Sequence, residues 1–409
     1  MQRIVIIGGG AAGFFAAVNC AEQYRQHEVI ILEKSSRVLD KVRVSGGGRC
    51  NVTHACWIPR DLIKNYPRGS RELLSVFSRF QPSDTIDWFE QRGVELKVED
   101  DGRMFPTTDN SQTIIDCLTT AAHKAGVKIW YKHAVEQLLP PTEKRPFWDI
   151  LLHDGNKIAA HKIMVATGSS PAVWRMLATL GHTIVPPVPS LFTFHINDPR
   201  LTGLEGISMP MVTATLASAK LHTEGAILIT HWGLSGPAIL KLSAWAARLM
   251  HAQNYHLPIQ INWTWTYTPA ECEAYLTDLR TDPNSLRKQI TTYPLFDIPA
   301  RLWRRLLTAA NLPETLRWAD IANKQIAALA AQLTQSTFNV KGKSTFKDEF
   351  VTCGGVSLTE VNFKTMESKL HKGLYFGGEV LDIDAVTGGF NFQAAWSTAW
   401  IAAGEMGDF

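Results

Sequence analysis

The residues best suited to chemistry begin at position 8. Gly8-x-Gly10-x-x-Gly13 lies in "IVIIGGGAAGFFAAV", between an apolar strand-like run and a helical one. Gly8 permits a tight turn, Gly10 lets a pyrophosphate approach the backbone, and Gly13 lets the helix pack close on a sheet. The helix N-terminus favours phosphate charge. Glu33 closes the next apolar run, twenty residues after Gly13, where an acid binds ribose hydroxyls. The pattern predicts a dinucleotide with an unphosphorylated adenosine ribose, FAD or NAD rather than NADP.

Four further stretches carry reactive or backbone-exposing residues. "VSGGGRCNVTH" (44–54) sets three glycines before Arg49, Cys50 and Asn51. Such a run costs backbone entropy, so it is either a cradle for a ligand or a tight turn. Lys41, Arg43 and Arg49 make this stretch basic; they either stabilise pyrophosphate or reduced flavin, or form a solvated loop. Cys50 is a reactive thiol if Arg49 lowers its pKa, but a small residue packed on a cofactor is the better reading. "VATGSS" puts Thr167-Gly168 at a strand end. "LYFGGEV" puts Gly378-Glu379 at another. "TGGFNFQAAWSTAW" opens an apolar helix with Gly388-Gly389, so N–H groups from Phe390 to Gln393 either face an anion or simply start a core helix. NAD needs no help from the far end of the chain. A first strand-helix-strand and a last strand-turn-helix converging on one long cofactor favour FAD. A second G-x-G-x-x-G is missing, so NADH or NADPH would dock only transiently. His231, in "ITHWGLSGPA", is a candidate general base or substrate-orienting group, or a structural histidine. The other histidines show no ligand spacing, and no metal is expected.

These residues need a scaffold, and 409 residues imply two or three domains. Apolar residues make up 45% and charged ones 19%, as in a globular protein. A net charge of +3 gives no case for nucleic acid or an anionic membrane, and the 13 tryptophans lack a matching basic pattern. Neither partner is expected. Six cysteines without Cys-x-x-Cys, and strand pattern already from Arg3, suggest the cytoplasm. Residues 385–404 carry no charge but hold several polar side chains and glycines, as a buried helix does rather than a membrane span. Helices are predicted over 14–26, 70–80, 83–91 (Ser83 as N-cap) and 111–124. Hairpins are predicted at Asp101-Gly102 and Asp154-Gly155. A proline-rich stretch at 184–194 reads as a domain exit. Strands follow to about 265, helices over 268–335, and strand pattern again after Lys343. The predicted organisation is a discontinuous domain, 1–187 with 345–409, around an insert at 188–344 (188–267 mostly β, 268–335 helical).

"SGGGRCNVT", "HWGLSGPAIL" and "KTMESKLHKGLYFGGEVLDIDAVTGGFNFQAAWSTA" resemble the bacterial FAD-dependent oxidoreductase family that includes aminoacetone oxidase and bile-acid-inducible flavoprotein reductases. The resemblance runs from residue 3 to about 404. It implies an α/β fold: a Rossmann-like FAD-binding domain of the glutathione-reductase kind with an inserted β-barrel plus helical region. It also implies FAD contacts at Gly8, Gly10, Ala11, Ala12 and Gly13, then at Glu33 and Lys34. The first loop would add Lys41, Ser45, Gly46, Gly47, Arg49, Cys50 and Asn51. Val135, Thr167 and Gly168 would follow. The C-terminal part would add Gly378, Glu379, Gly389, Phe390, Asn391, Phe392 and Gln393. Two departures stand out: Leu39 replaces a glycine common two residues before the lysine matching Lys41, and "SSPAVWRMLATLGH" is shorter and more apolar than usual. The leading expectation is an FAD-dependent oxidoreductase passing hydride between flavin N5 and a small organic substrate or NAD(P)H. Substrate would sit between the FAD domain and the insert, with His231 and Arg49 as active residues. An NAD-linked dehydrogenase using the first motif, and a non-catalytic flavin-containing redox sensor, are the alternatives.

Overall fold

Arg3–Ile7, Glu28–Leu32 and Lys162–Val165 are runs of Ile, Val and Leu without alternation, which settle only where both faces of a sheet are covered. They pair in parallel, with Ile4 beside Val29 on one side and Lys162 on the other. Leu374–Phe376 and Lys128–Trp130 extend the parallel set. A short antiparallel pair, Val361–Asn362 and Glu367–Ser368, completes seven strands. The computed structural model describes residues 1–344 and 351–408. They form two compact units: Met1–Val188 with the chain from Val351 onward, and the intervening chain from Pro189. The expected domain return at 345, and residue 409 at its end, lie outside the described residues.

The seven-stranded sheet belongs to the first unit. Its opening helix, Ala11–Gln23, packs along its closing helix, Phe390–Gly407. The closing helix is apolar nearly all round because nearly all of it is buried. Its hydroxyls find acceptors inside: Ser397 donates to the Phe80 carbonyl (2.8 Å) and Thr398 to the Ala394 carbonyl (2.6 Å). No described helix is long and apolar enough to cross a membrane. Both predicted Asp-Gly turns form, with Gly102 at φ +83° and Gly155 at φ +85°. The first hairpin, Leu96–Val98 with Arg103–Pro106, gains a third strand from Thr53–His54. One cap differs from expectation: the helix Pro82–Glu90 begins a residue before Ser83. Gln81 is its cap, its N–H donating to Asp84 Oδ2 (2.8 Å), and proline fits the first helical position.

The second unit is a six-stranded antiparallel sheet ordered Phe194–His195, Gly233–Ser235, Leu221–Thr230, Ser208–Leu216, His256–Asn262 and Ser336–Lys341. Its edges meet: Phe194 bridges Lys343, and the His195 N–H donates to the Gly342 carbonyl (2.9 Å). The sheet thus nearly closes into a barrel. Strand structure returns at Ser336, earlier than the sequence suggested. The helices Pro269–Asp278, Ala300–Ala309 and Asn323–Thr334 bury Leu276, Trp303, Leu306 and Leu329 against the sheet's core.

Candidate functional site

The glycine turn follows the first strand, and each glycine has a separate steric reason. Gly8 lies at φ +112°, and a methyl group there would meet the Ala166 carbonyl oxygen at 2.5 Å. A methyl at Gly13 would lie 1.9 Å from the Gly8 oxygen, so only glycine lets the helix sit this close. Gly10 faces open space, leaving its backbone approachable. Ala11 and Ala12 start the opening helix, which has no side-chain cap and no acid in its first turn. Glu33 ends the second strand with both oxygens fixed by the main chain: Gly9 N–H donates to Oε2 and Ser35 N–H to Oε1, each at 2.8 Å. Sequence reasoning passed over Gly9, whose N–H aims that carboxylate. The His133 N–H donates to the Glu33 carbonyl (2.8 Å), which brings the start of strand Val135–Leu139 close by; Lys34 is exposed.

Three distant segments meet at the end of strand Lys162–Val165. Gly168, at φ +61°, would place a methyl 3.6 Å from Glu379 Oε2 and 3.7 Å from Lys41 Nζ. Lys41 and Glu379 form an ion pair. The Thr167 hydroxyl beside them is buried without a hydrogen-bond partner among the described residues. Gly378, at φ +71°, donates its N–H to Thr398 Oγ1 (3.0 Å) and packs on the Ala12 methyl.

The "SGGGRCN" stretch is not an open loop. Asp40–Gly48 is helical at first and unwinds at Ser45 (ψ 150°), Gly46 (φ +57°) and Gly47 (φ +68°), with Gly48 at φ +84°. Consecutive left-handed residues explain the glycine run. Ser45 closes the helical part by donating to the Val42 carbonyl (2.8 Å). Cys50 is fully buried, and burial pushes its thiol up to about 12; it is packing, not a nucleophile. With its amide turned to satisfy both ends, Asn51 donates to the Thr53 carbonyl (3.0 Å) and accepts from the Gly389 N–H (2.9 Å). Asn51 therefore binds the first loop to the start of the closing helix rather than reaching out from it.

Several expected side-chain roles change. The Arg49 guanidinium pairs with Glu99 (2.5 Å) and Asp109 (3.5 Å) and lies 3.9 Å over the Phe105 ring, so its charge is already answered. Gln393 is fully buried, accepting from Thr53 (2.5 Å) and Thr85 (3.0 Å) and donating to Ser397 (2.9 Å). Asn391 exchanges two bonds with Ala385, at 3.0 and 3.2 Å. Phe390 stacks on His54 (4.5 Å), and Phe392 on Trp396 (5.6 Å). These side chains staple the helix start. What they leave open is main chain: Gly389 caps the helix at φ +88°, no side chain caps its first turn, and N–H groups of Phe390, Asn391 and Phe392 have no intrahelical acceptor. Sequence reasoning missed the buried Arg68–Asp384 ion pair and Tyr66, whose hydroxyl donates to the Phe390 carbonyl (2.6 Å). An acid in the apolar run "VLDIDAV" was the available signal.

His231 lies in the second unit, in the exposed turn after strand Leu221–Thr230. It borders a cavity of about 370 Å³ with His195, Asp198, Glu205, Trp232 and Lys341. His195 stacks on Trp232 (5.4 Å, 15°), and burial pulls its pKa below the ordinary value.

The profile described as "HI0933-like protein Rossmann domain" matches residues 2–405. The chain belongs to this family. HI0933-like proteins are FAD-binding oxidoreductases of Rossmann type, so the resemblance seen in the sequence holds. A ribosomal RNA dihydrouridine synthase of Escherichia coli (strain K12) is 29% identical, covering 99% of this chain and 98% of that protein. A 3-dehydro-bile acid delta(4,6)-reductase of Clostridium scindens is 26% identical over 98% of both. Among solved structures, a 3-ketosteroid-delta4-(5alpha)-dehydrogenase from Rhodococcus jostii RHA1 shares the fold at TM-score 0.53 and 12% identity, covering 100% of this chain and 97% of that one. The expectation of no nucleic-acid partner finds no support here, since a full-length relative is named for ribosomal RNA.

The described residues of this HI0933-like chain fit FAD on four observations. The backbone at Gly10 is open, Glu33 is held ready at a strand end, the Thr167 hydroxyl lacks a partner, and the closing helix starts uncapped. All four lie in the first unit.

Proposed function

We propose that this protein is an FAD-dependent reductase of a carbon–carbon double bond conjugated to a carbonyl, in a planar ring substrate. The observation that carries the reading is the uncapped start of the closing helix, tied through Asn51 to the glycine-rich segment that follows Lys41. A helix N-terminus of that kind favours negative charge, and a two-electron-reduced flavin is an anion. The names of two full-length relatives support the substrate class. Making dihydrouridine and reducing a Δ4,6 bile acid both add one hydride and one proton across a C=C bond next to a carbonyl.

In this reading Gly10, Ala11, Ala12 and the opening-helix N–H groups would hold the pyrophosphate, with Glu33 on the ribose hydroxyls. Lys34 and Val135 would flank the adenosine. Thr167, Gly168, Gly378 and the Lys41–Glu379 pair would line the middle of the cofactor. The N–H groups from Phe390 to Phe392 would face the flavin. Ser45, Gly46, Gly47, Cys50, Asn51 and Gln393 set that backbone in place. When bound, FAD would supply two-electron chemistry, a hydride for the β-carbon of the conjugated system, with NADH or NADPH as the source of electrons. The α-carbon then needs a proton, and we retain His231 as the candidate acid because it is exposed beside a cavity. Arg49 is withdrawn from that role by its two carboxylate partners.

The test is anaerobic. FAD-loaded protein is reduced with dithionite and mixed with a uridine-containing RNA, a 3-oxo-4-ene steroid and the saturated counterpart of each. A conjugated compound restores the oxidised flavin spectrum and its saturated counterpart does not. His231→Asn slows that reoxidation while leaving flavin reduction by NAD(P)H intact. Protein that binds FAD yet is reoxidised by no conjugated carbonyl overturns the reading.

A further inference from the structure

We propose that the second unit carries a binding surface for single-stranded RNA, formed by the helix Ala300–Ala309, the turn 202–205 and Trp232. The choice of RNA rests on the reductase reading, in which uracil is one source of a ring C=C conjugated to a carbonyl. The surface itself rests on geometry.

The chain's positive excess is not evenly spread. Residues 189–344 hold 14 Lys and Arg against 10 Asp and Glu, while residues 1–188 and 351–408 together hold 26 of each. Within the second unit, the helix Ala300–Ala309 concentrates charge on one side. Leu302, Trp303, Leu306 and Leu307 are buried, and Arg301, Arg304 and Arg305, spaced to share a face, are exposed. The helix contains no acid, and none of the three arginines has a salt bridge among the described residues. Two are aimed by carbonyl groups: Arg301 donates to the Gly203 oxygen and Arg305 to the Thr202 oxygen (3.1 Å). Carbonyl contacts orient a guanidinium without cancelling its charge.

The turn that receives those arginines also borders the cavity of about 370 Å³, through Thr202 and Glu205. Trp232 stands at the same cavity, 53% exposed. His195 stacks face to face against its ring at 5.4 Å. A tryptophan supported from one side and exposed on the other is a platform for a flat ring. Of the two acids at the cavity, Asp198 is matched by Arg200 (2.8 Å), and Glu205 shares its turn with Arg301. Cations for phosphates and an aromatic face for a base thus flank one turn, the combination by which proteins hold unpaired nucleotides. An acidic peptide would use the arginines but leave the exposed indole and its cavity without a purpose.

The experiment uses the full FAD-loaded chain and fluorescence anisotropy of a labelled uridine-containing RNA loop across a salt series. Wild-type protein binds, and affinity falls as salt rises. Arg304→Gln, which removes a side chain with no structural bond, lowers the salt slope by about 0.7. Trp232→Leu weakens binding roughly tenfold or more at fixed salt. Heparin binding as tight as RNA binding, with no loss in Trp232→Leu, overturns the proposal in favour of a general polyanion patch. RNA binding unaffected by either substitution overturns the placement. If no RNA binds but small conjugated carbonyls still reoxidise reduced flavin, the surface is refuted and the reductase reading survives. If RNA binds as described and no conjugated carbonyl reacts, the surface stands and that reading falls.

Discussion

At φ +60°, Leu39 occupies the left-handed region that L side chains enter at a cost of about 1–2 kcal/mol. This is the position where the family resemblance implies a glycine. The conformation is imposed from both sides: Leu39 donates its N–H to the Gly9 carbonyl (2.9 Å) and precedes the helix Asp40–Gly48. Burial of its side chain, 1% exposed, offsets the strain. The usual ranking of substitutions should therefore invert. Leu39→Ala loses the burial and keeps the strain, whereas Leu39→Gly loses the burial and removes it. Both variants melt below wild type, and the glycine variant is the more stable by about 1 kcal/mol in urea unfolding. An alanine variant at least as stable as the glycine variant would remove the strain argument. Glu33 poses a second residue-level question. Both its oxygens accept main-chain N–H bonds, so Glu33→Gln turns an NH₂ group toward a donor. FAD titration of the apoprotein should show affinity reduced at least about tenfold; unchanged affinity would take Glu33 out of the cofactor site.

Among the elements, the closing helix is anchored at its start by several separate bonds. Asn51 holds Gly389, Tyr66 holds Phe390, Asn391 holds Ala385, and the Val386 N–H donates to the Asn65 carbonyl (2.9 Å). Below them Arg68 and Asp384 form an ion pair in which the carboxylate is fully buried and the arginine side chain is 11% exposed. Asp384→Asn removes the carboxylate charge facing that guanidinium. Breaking a buried pair from one side costs about 3–5 kcal/mol, so thermal stability drops and FAD is retained less well. Adding Arg68→Met to Asp384→Asn restores part of the loss, because the remaining charge is gone as well; an additive double mutant would contradict this. The same anchors show what was legible in the sequence. Gly8, Gly13, Gly46 and Gly389 were readable because close approach of neighbouring backbone leaves no room for a side chain. Glu33 was readable because a strand end fixes its place. Arg49, Asn391 and Gln393 looked like ligand contacts, but their side chains are taken by protein partners. Gln393 meets Thr53 across 340 residues, a pairing no local pattern reveals. The Arg68–Asp384 pair was hidden for the same reason, being separated by 316 positions.

At the scale of the whole molecule, the described residues include His161, His182 and His195, each held below the ordinary value of 6.5 chiefly by burial. His182 is the most enclosed. Its Nδ1–H donates to Glu360 (2.9 Å) and its Nε2 accepts from the Ser368 hydroxyl (3.1 Å). The order of groups is that of a hydrolase triad, but the Ser368 oxygen also accepts N–H bonds from Leu370 (3.1 Å) and His371 (3.0 Å) and is buried. Ser368 is a turn staple, and its proton serves to keep His182 neutral. The consequence is a pH dependence of definite sign. The unfolded chain takes up protons on these histidines as pH falls below about 6.5, while the folded chain still resists. Stability is then fully present above that value and is lost as pH falls through the lowered folded values. The carboxylates held low by ion pairs act in a separate, more acidic window: Glu28, bonded to Lys128 and Arg3, contributes until pH drops below its ordinary 4.5. Urea unfolding should therefore give a lower midpoint at about pH 5.5 than at about pH 7.5. In His182→Gln, which retains a donor and an acceptor, the difference between the two midpoints shrinks even if the variant is less stable at both. A midpoint that stays level or rises on acidification to about pH 5.5 would show that these histidines are charged in the native protein, and the neutral Ser368–His182–Glu360 chain would have to be abandoned.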